Sequence, residues 1–256
     1  MKIDRVILAS DDNKNYIEFW PIVAKAWAHF GVKPTLVYTG KDDDFIDSEV
    51  GEVIRIPKIA NLSSAFLAQN LRLLIPSLFP SEVSIISDID NLPMNKDFFF
   101  NPIRKYEKDK FVSYRSDCAD PDQLSMMWNV ASGETWKEMF SVSSMSEIYE
   151  KVISWYSTEY RAYDGINLPV KSWFTDQIVL RKFFESFKQR NPDRVVELTD
   201  ADTGFFRLDR MQNDIKHTTE YSSFNYYSDF HMPRPYSENK EKIDKIFRSH
   251  LLRDNL

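Results

Sequence analysis

The sequence predicts an α/β fold in which a mostly parallel central sheet is flanked by helices. Over the first 90 residues, short runs rich in β-branched residues alternate with amphipathic helical stretches in the order β-α-β-β-α-β. Hydrophobic residues make up 43% of the 256-residue chain and aromatic residues 14%, which is enough to fill the space between a sheet and its helices. No internal repeat or low-complexity linker divides the sequence, so we expect one domain over residues 1–256.

The elements of the first half follow from their hydrophobic patterns. A helix from about residue 16 to 30 has apolar side chains at helical spacing and stops at Gly31. A serine at 63 or 64 caps a second helix, which runs to about residue 78. The strands of this half are expected at residues 6–10, 33–39 and 53–56, and from residue 83 up to the two acids at 88 and 90, after which Pro93 stops any strand.

The second half of the chain is less regular. Its apolar runs predict strands at residues 111–114, 126–131, 194–198 and 204–208. Its helical patterns cover residues 134–140, 146–161 and 175–190, and the charged tail is helical from about residue 239.

Composition excludes some classes of function. The net charge is −6 and no tract is rich in lysine or arginine, so we expect no nucleic-acid partner. The single cysteine, Cys118, cannot form an internal disulfide and fits a reducing compartment. The first ten residues are too charged for a signal peptide, and no apolar run approaches the roughly 20 residues of a membrane span. We therefore expect a soluble, cytoplasmic protein.

The strongest candidate for a functional site is Asp88-Ile89-Asp90, at the end of the apolar strand that begins at Val83. Ligands of open α/β sheets bind at the carboxyl ends of the strands. Two carboxylates are costly at such a place unless a cation neutralises them, and a hard divalent ion suits their oxygens. A solvated turn is the plain alternative, because aspartate favours turns. The preceding strand favours a metal site.

Several segments together resemble nucleotide-sugar-dependent glycosyltransferases of the GT-A fold with a DxD motif, and family 8 in particular. The similar segments are Leu8–Tyr16, Gln69–Arg72, Asp88–Asp90, Trp173–Gln177 and Asp229–Pro235. The sequence as a whole also resembles glycosyltransferase domains encoded by large algal viruses. The resemblance implies a UDP-sugar donor and a glycan or glycoconjugate acceptor. It also implies a nucleotide-binding half over residues 1–100 and an acceptor-binding half over residues 101–256.

The resemblance further assigns roles to individual residues. Asp88, Asp90 and His231 would hold Mn²⁺ or Mg²⁺. The nucleotide-sugar would be bound by Ala9, Ser10, Asp11, Asp12, Asn13, Tyr16, Arg72, Ser87, Asp88, Ile89, Asn129, Gln177 and Arg234. From the residues alone, Asp12 or Asn13 would serve equally well as a helix cap, and Arg72 as a solvent-facing helix residue.

The catalytic residues depend on the stereochemistry of transfer. If the enzyme inverts the anomeric centre, a carboxylate must deprotonate the acceptor hydroxyl. Asp176 is then the first candidate and Asp209 the second. If the enzyme retains the configuration, Gln177 is expected on the reacting face instead.

The sequence departs from family 8 in two segments. The late histidine segment lacks the family's glycine and lysine, so Arg234 would replace the lysine as partner of the diphosphate. Trp128–Gly133 replaces the usual Asn-x-Gly strand motif, and the exact family stays open.

Two rival functions also remain: a nucleotidyltransferase and a sugar-binding module without turnover. The first loop, Ser10–Asn13, is acidic and has no glycine, which argues against a triphosphate cradle.

Overall fold

A seven-stranded sheet runs through the described part of the chain. The computed structural model describes residues 1–41, 46–59, 61–158, 162–163, 170–171, 173–210 and 226–251. The strands are β1 Arg5–Ser10, β2 Lys33–Tyr38, β3 Glu52–Arg55, β4 Val83–Ile86, β5 Asn91–Pro93, β6 Phe111–Tyr114, β7 Asn129–Ser132, β8 Ala162–Tyr163, β9 Val170–Lys171, β10 Val195–Leu198, β11 Phe206–Asp209 and β12 Tyr227–His231. The α-helices are α1 Lys14–Ile17, α2 Trp20–His29, α3 Ser64–Leu74, α4 Lys96–Phe100, α5 Gly133–Phe140, α6 Met145–Thr158, α7 Thr175–Arg190, α8 Asp200–Thr203 and α9 Tyr236–Leu251.

The large sheet is mostly parallel, as predicted. Its strand order is β10-β6-β7-β4-β1-β2-β3. The parallel pairs are β1 with β2, β1 with β4, β2 with β3, and β6 with β10, whereas β7 lies antiparallel to both β4 and β6. Because β1 and β4 are adjacent and parallel, the segments that follow Ser10 and Ile86 leave the same edge of the sheet.

Both faces of the sheet are covered by helices. On β1, Val6 and Leu8 belong to one buried apolar cluster, which also contains residues of α2, α4 and α9. Ile7, between them, belongs to a second cluster with residues of α3, α5, α6 and α7. Successive side chains of a strand point to opposite faces, so this alternation places one helical layer on each side. The fully buried strands explain the continuous apolar runs in the sequence.

The helix expected over residues 16–30 is divided in two. It forms the short α1 and the longer α2, which starts at Trp20 and has a proline in its first turn. The ring of Pro21 fits this position, because the first turn needs no intrahelical N–H donor, but it cannot continue a helix from upstream. The cap expected for the next helix is confirmed, since the Ser63 hydroxyl accepts from the backbone N–H of Phe66.

A small second sheet, with strand order β11-β12-β5, combines the strand expected near residues 204–208, which is β11, with two strands that the sequence did not predict. The sequence indicated only a stop at Pro93, yet Asn91–Pro93 pairs antiparallel with β12. β12 is also parallel to β11, with Asp209 opposite His231. A further difference is that β7 begins at Asn129, so residues 126–128 form a loop instead of the expected strand.

A buried ionic cluster ties this small sheet to the large one. Asp229 is 0% exposed and accepts from Arg115 Nη1 at 2.7 Å, Arg207 Nε at 3.0 Å and Ser228 Oγ at 2.6 Å. Arg115 follows β6 of the large sheet and also binds Asp200 at 2.8 Å. Burial opposes ionisation of Asp229, but the two guanidinium groups outweigh it and lower the pKa of this carboxyl group.

Gly133 opens α5 at a point where two backbones touch. Its N–H donates to the carbonyl of Glu82 at 2.9 Å. A Cβ atom at this position would lie 2.2 Å from the carbonyl oxygen of Phe79, so only glycine fits without moving the backbone.

None of the helices in the described ranges is long and apolar enough to cross a bilayer.

Candidate active site

A cavity of about 490 Å³ lies beside the carboxyl ends of β1 and β4. The predicted site residues that line it are Ala9, Ser10, Asp11, Asn13, Tyr16, Arg72, Asp88, Ile89, Asp90, Asp176, Gln177, His231 and Arg234. Residues separated by more than 200 positions in the sequence thus share one space. The position is the one expected for a ligand of an open, mostly parallel sheet.

One end of the cavity is formed by the segment after β1. Asp11 is held by Ser64 Oγ, which donates to Oδ2 at 2.8 Å, and by the N–H of Asn13 at 3.1 Å. Asn13 is the N-cap of α1, and its side chain accepts from the N–H of Asn15. The ring of Tyr16 lies under the guanidinium of Arg234, 4.8 Å from its centroid. This end therefore presents a fixed carboxylate, an amide and a tyrosine ring that packs against an arginine.

Three of the predicted binding residues do not line the cavity. Asp12 is exposed, and its carboxylate accepts from the N–H of Lys41 at 3.3 Å. Ser87 is buried and donates to the carbonyl of Asp88 at 2.9 Å. Asn129 is also buried, and its amide donates to the carbonyl of Ser125 at 2.8 Å. Ser87 and Asn129 thus hydrogen-bond to the carbonyls of cavity-lining residues, and Asp12 to the loop after β2.

Arg72 joins two acids in the cavity wall. Its Nη1 donates to Asp88 Oδ1, and its Nη2 donates to Asp176 Oδ2 at 2.7 Å. Its side chain is only 8% exposed, so the solvent-facing alternative does not hold. Burial disfavours the charge, but Asp88 and Asp176 outweigh burial and raise the pKa of Arg72, which stays protonated.

Asp176, the first candidate for a catalytic base, is held on two sides. One oxygen accepts from Arg72 and the other from the N–H of Gln177 at 2.8 Å. The side chain is 2% exposed, and burial raises its pKa despite the arginine. Its position at the start of α7 leaves the neighbouring Gln177 on the cavity surface as well.

The small sheet brings His231 to the acidic motif. Asp90 directly precedes β5, and Asn91 of β5 is paired with His231 of β12. The N–H of Met232 donates to the carbonyl of Asp90 at 2.9 Å, which fixes the two segments beside each other. The result is a distance of 3.4 Å between Asp90 Oδ2 and His231 Nε2.

Asp209, the second candidate for a catalytic base, lies behind His231 and does not line the cavity. Its Oδ2 is 2.9 Å from His231 Nδ1. Since a carboxylate only accepts, Nδ1 carries the proton, and Nε2 faces Asp90. Two acceptors at 3.4 Å repel each other, so either a proton on Nε2 or a metal cation must separate them. A carboxylate on the far nitrogen is the usual support of a metal-binding histidine.

Asp90 is surrounded by cations. Its Oδ2 is 3.2 Å from Arg210 Nη1 and 3.5 Å from Arg234 Nε, in addition to its contact with His231. Burial opposes ionisation, but the hydrogen bond from His231 and the charges of Arg234 and Arg210 lower the pKa of Asp90 to about 2. This carboxyl group is therefore ionised throughout the neutral range.

The donor set suits a divalent ion, although the ligands are not yet gathered around one point. Two carboxylates and an imidazole are ligands that Mn²⁺ accepts. The 3.4 Å between Asp90 and His231 is close to the roughly 3 Å between neighbouring ligands of an octahedral ion with bonds of about 2.1 Å. The Asp88 carboxylate is paired with Arg72 instead of facing Asp90 and His231. Among the described residues, no three acidic, histidine or cysteine side chains already form a metal cluster.

Some residues of the cavity wall are not among the predicted site residues. Arg210, the loop Ser125–Met127 and Gln69 line the cavity, as does Trp173. Arg210 stands at the end of a short strand in an irregular region. Met126 and Met127 of the loop belong to an apolar run that predicts a strand. Gln69 and Trp173 lie within segments that resemble family 8 glycosyltransferases.

Comparison with known proteins supports the fold. No family model matches the sequence, and no curated protein matches it significantly. The glycosyltransferase GlyE of Streptococcus pneumoniae TIGR4 superposes with a TM-score of 0.53 at 12% identity, over 98% of this chain and 63% of that one. Its apo form gives 0.52 and 11% over the same shares. The chain shares their fold. The predicted α/β fold of the GT-A type is thereby confirmed.

The chain spans 63% of the length of GlyE, and at 12% identity the likeness extends to the fold alone. The galactosyltransferase LgtC, crystallised with donor and acceptor sugar analogues, matches over 96% of both chains at 12% identity. Its TM-score of 0.48 is too low to support an inference.

Proposed function

We propose that the protein is a metal-dependent glycosyltransferase that moves a sugar from a UDP-sugar to a hydroxyl group of a glycan or glycoconjugate. The observation that carries the proposal is the meeting of Asp88, Asp90 and His231 in one cavity with the aromatic and polar pocket after β1. A nucleoside diphosphate presents a base at one end and charged phosphates at the other. The cavity has partners for both ends.

Different residues would bind the base and the diphosphate of the donor. Asp11 and Asn13 offer an acceptor and a donor for the edge of a uracil ring, and Tyr16 offers its face. Asp88, Asp90 and His231 would hold Mn²⁺ or Mg²⁺. The ion, when bound, neutralises the negative charge that develops on the departing diphosphate.

The positions of Asp176 and Gln177 favour retention of configuration. A general base must be free to take a proton from the acceptor, whereas both oxygens of Asp176 are hydrogen-bonded in the wall. Gln177 lies on the cavity surface, where a neutral amide can face the reacting carbon. Asp176 would then position Arg72 beside Asp88. The acceptor would enter along Trp173 and the loop Ser125–Met127.

A melting-temperature screen tests the proposal. The protein is mixed with UDP- and GDP-sugars, with Mn²⁺ and with chelator, and donors that stabilise it are then assayed for UDP release with and without candidate acceptors. We expect UDP-sugars with Mn²⁺ to raise the melting temperature. No shift with any nucleoside diphosphate would refute the proposal, and a shift without turnover would indicate a binding module.

Substitution of the acids provides a second test. Asp88→Asn and Asp90→Asn should each lower transfer by about 10³-fold or more, because ligand loss removes several kcal/mol of charge stabilisation. The matched control is Asp193→Asn, at an exposed site far along the chain from either acid. Full activity of an acid variant in chelator would exclude a role for the metal.

A further inference from the structure

We propose that Arg210, acting with Arg234, forms an arginine clamp that binds the diphosphate of the donor nucleotide, so that UDP binds even without a divalent ion. This inference rests on the proposed function and adds a binding residue to it. Arg210 follows the last residue of β11 and lines the cavity. Its guanidinium reaches across to Asp90 at 3.2 Å and to the carbonyl of Met232 at 3.3 Å.

The distribution of charge in the cavity wall points to an anion at this place. On one side, Arg72 is shared by Asp88 and Asp176, which leaves a negative charge in excess. On the other side, Asp90 is shared by Arg210 and Arg234, which leaves a positive charge in excess.

A partly buried excess charge is costly unless a ligand of opposite charge neutralises it. The negative side suits a cation, and the positive side suits a phosphate group. The positive side also adjoins the ring of Tyr16, which lies against Arg234. A nucleotide whose base rests at Tyr16 therefore brings its phosphates to the two arginines.

Arg210 can bind a phosphate without losing its present support. Among its contacts with described residues, both hydrogen bonds use Nη1. A guanidinium group has five N–H donors in a rigid fork that matches two oxygens of a phosphate. Its side chain is 21% exposed, so the group is accessible from the cavity.

Titration calorimetry with UDP, UMP and uridine tests the clamp, in Mn²⁺ and in chelator. We expect the wild-type protein to bind UDP in chelator, more weakly than with Mn²⁺. Arg210→Ala should weaken UDP binding in chelator by about 10- to 100-fold, the usual effect of losing a hydrogen bond between charged groups, and leave uridine binding unchanged. Arg210→Lys should recover part of the loss, and the exposed Arg190→Ala serves as the matched control.

The outcomes separate the two proposals. UDP binding to the wild-type protein only in Mn²⁺, or equal UDP affinity of wild type and Arg210→Ala, would overturn the clamp and leave the proposed function intact. No binding of UDP or uridine under either condition would overturn both. Melting curves verify that each variant is folded, and an unchanged uridine affinity shows that the base pocket survives. If Arg210→Ala does not fold, the comparison of Arg210→Lys with wild type decides, since a lysine loses the two-pronged contact.

Discussion

The buried carboxylate of Asp229 allows a quantitative test of what holds the small sheet in place. Asp229→Asn keeps the size of the side chain but removes its charge. Asp229 accepts from Arg115, Arg207 and Ser228, all within 3.0 Å. In the variant, one carboxylate oxygen becomes an amide donor that faces another donor. Arg115, which is 3% exposed, then keeps only Asp200 as an anionic partner among the described residues.

The expected loss follows from the burial of these charges. Removing one partner of a buried ion pair typically costs about 3–5 kcal/mol, because the remaining charge is desolvated and uncompensated. For a chain of 256 residues, an unfolding entropy of about 2.1 cal/mol/K per residue gives about 0.5 kcal/mol/K. The melting temperature should therefore fall by about 6–10 °C.

Differential scanning calorimetry measures this shift directly, and urea unfolding gives the free energy. Asp193→Asn makes the same chemical change at an exposed site and should alter the free energy of unfolding by no more than about 0.5 kcal/mol. A loss below about 1 kcal/mol in Asp229→Asn would show that the cluster does not stabilise the fold as its geometry indicates.

Other predictions concern metal binding, backbone packing and the base pocket. Asp209→Asn should weaken Mn²⁺ binding by about 10- to 100-fold, measured by titration calorimetry, because His231 loses the group that orients it; unchanged affinity would argue against His231 as a ligand. Gly133→Ala should destabilise the fold by about 1–3 kcal/mol in urea unfolding, since its Cβ meets a carbonyl at 2.2 Å. Gly204→Ala, at φ +74 in open space, isolates the backbone strain and should cost about 1 kcal/mol. Tyr16→Phe should bind uridine about as well as wild type, and Tyr16→Ala should bind it several-fold more weakly, because the ring face makes the contact; equal affinities of the two variants would contradict that contact.

Local patterns were sufficient for the large sheet. The strands around Ile7 and Val83 and the helix after Ser63 are encoded by short-range periodicity and a cap, and the structure confirms them. The break before Trp20 depends on Pro21, whose fixed φ is readable in the sequence but was outweighed by the apolar stripe around it.

The assembly of the site depends on contacts that no local pattern encodes. β5 has only three residues and ends in a proline, so it has none of the marks of a strand. It becomes one because β12, far along the chain, supplies its partner. The parallel pairing of β11 with β12 places Asp209 behind His231 in the same way, and its neighbour Arg210 enters the cavity.

The small sheet also has a consequence for how this site could be altered. Asp90 precedes β5, and His231 and Asp209 end β12 and β11, so under the proposed function these three adjacent strands together carry the part of the cavity that faces the phosphates. Under the same proposal, the segment after β1 carries the part that faces the base. A protein engineer could therefore exchange the segment after β1 to change the choice of nucleobase, and leave the machinery for the leaving group intact.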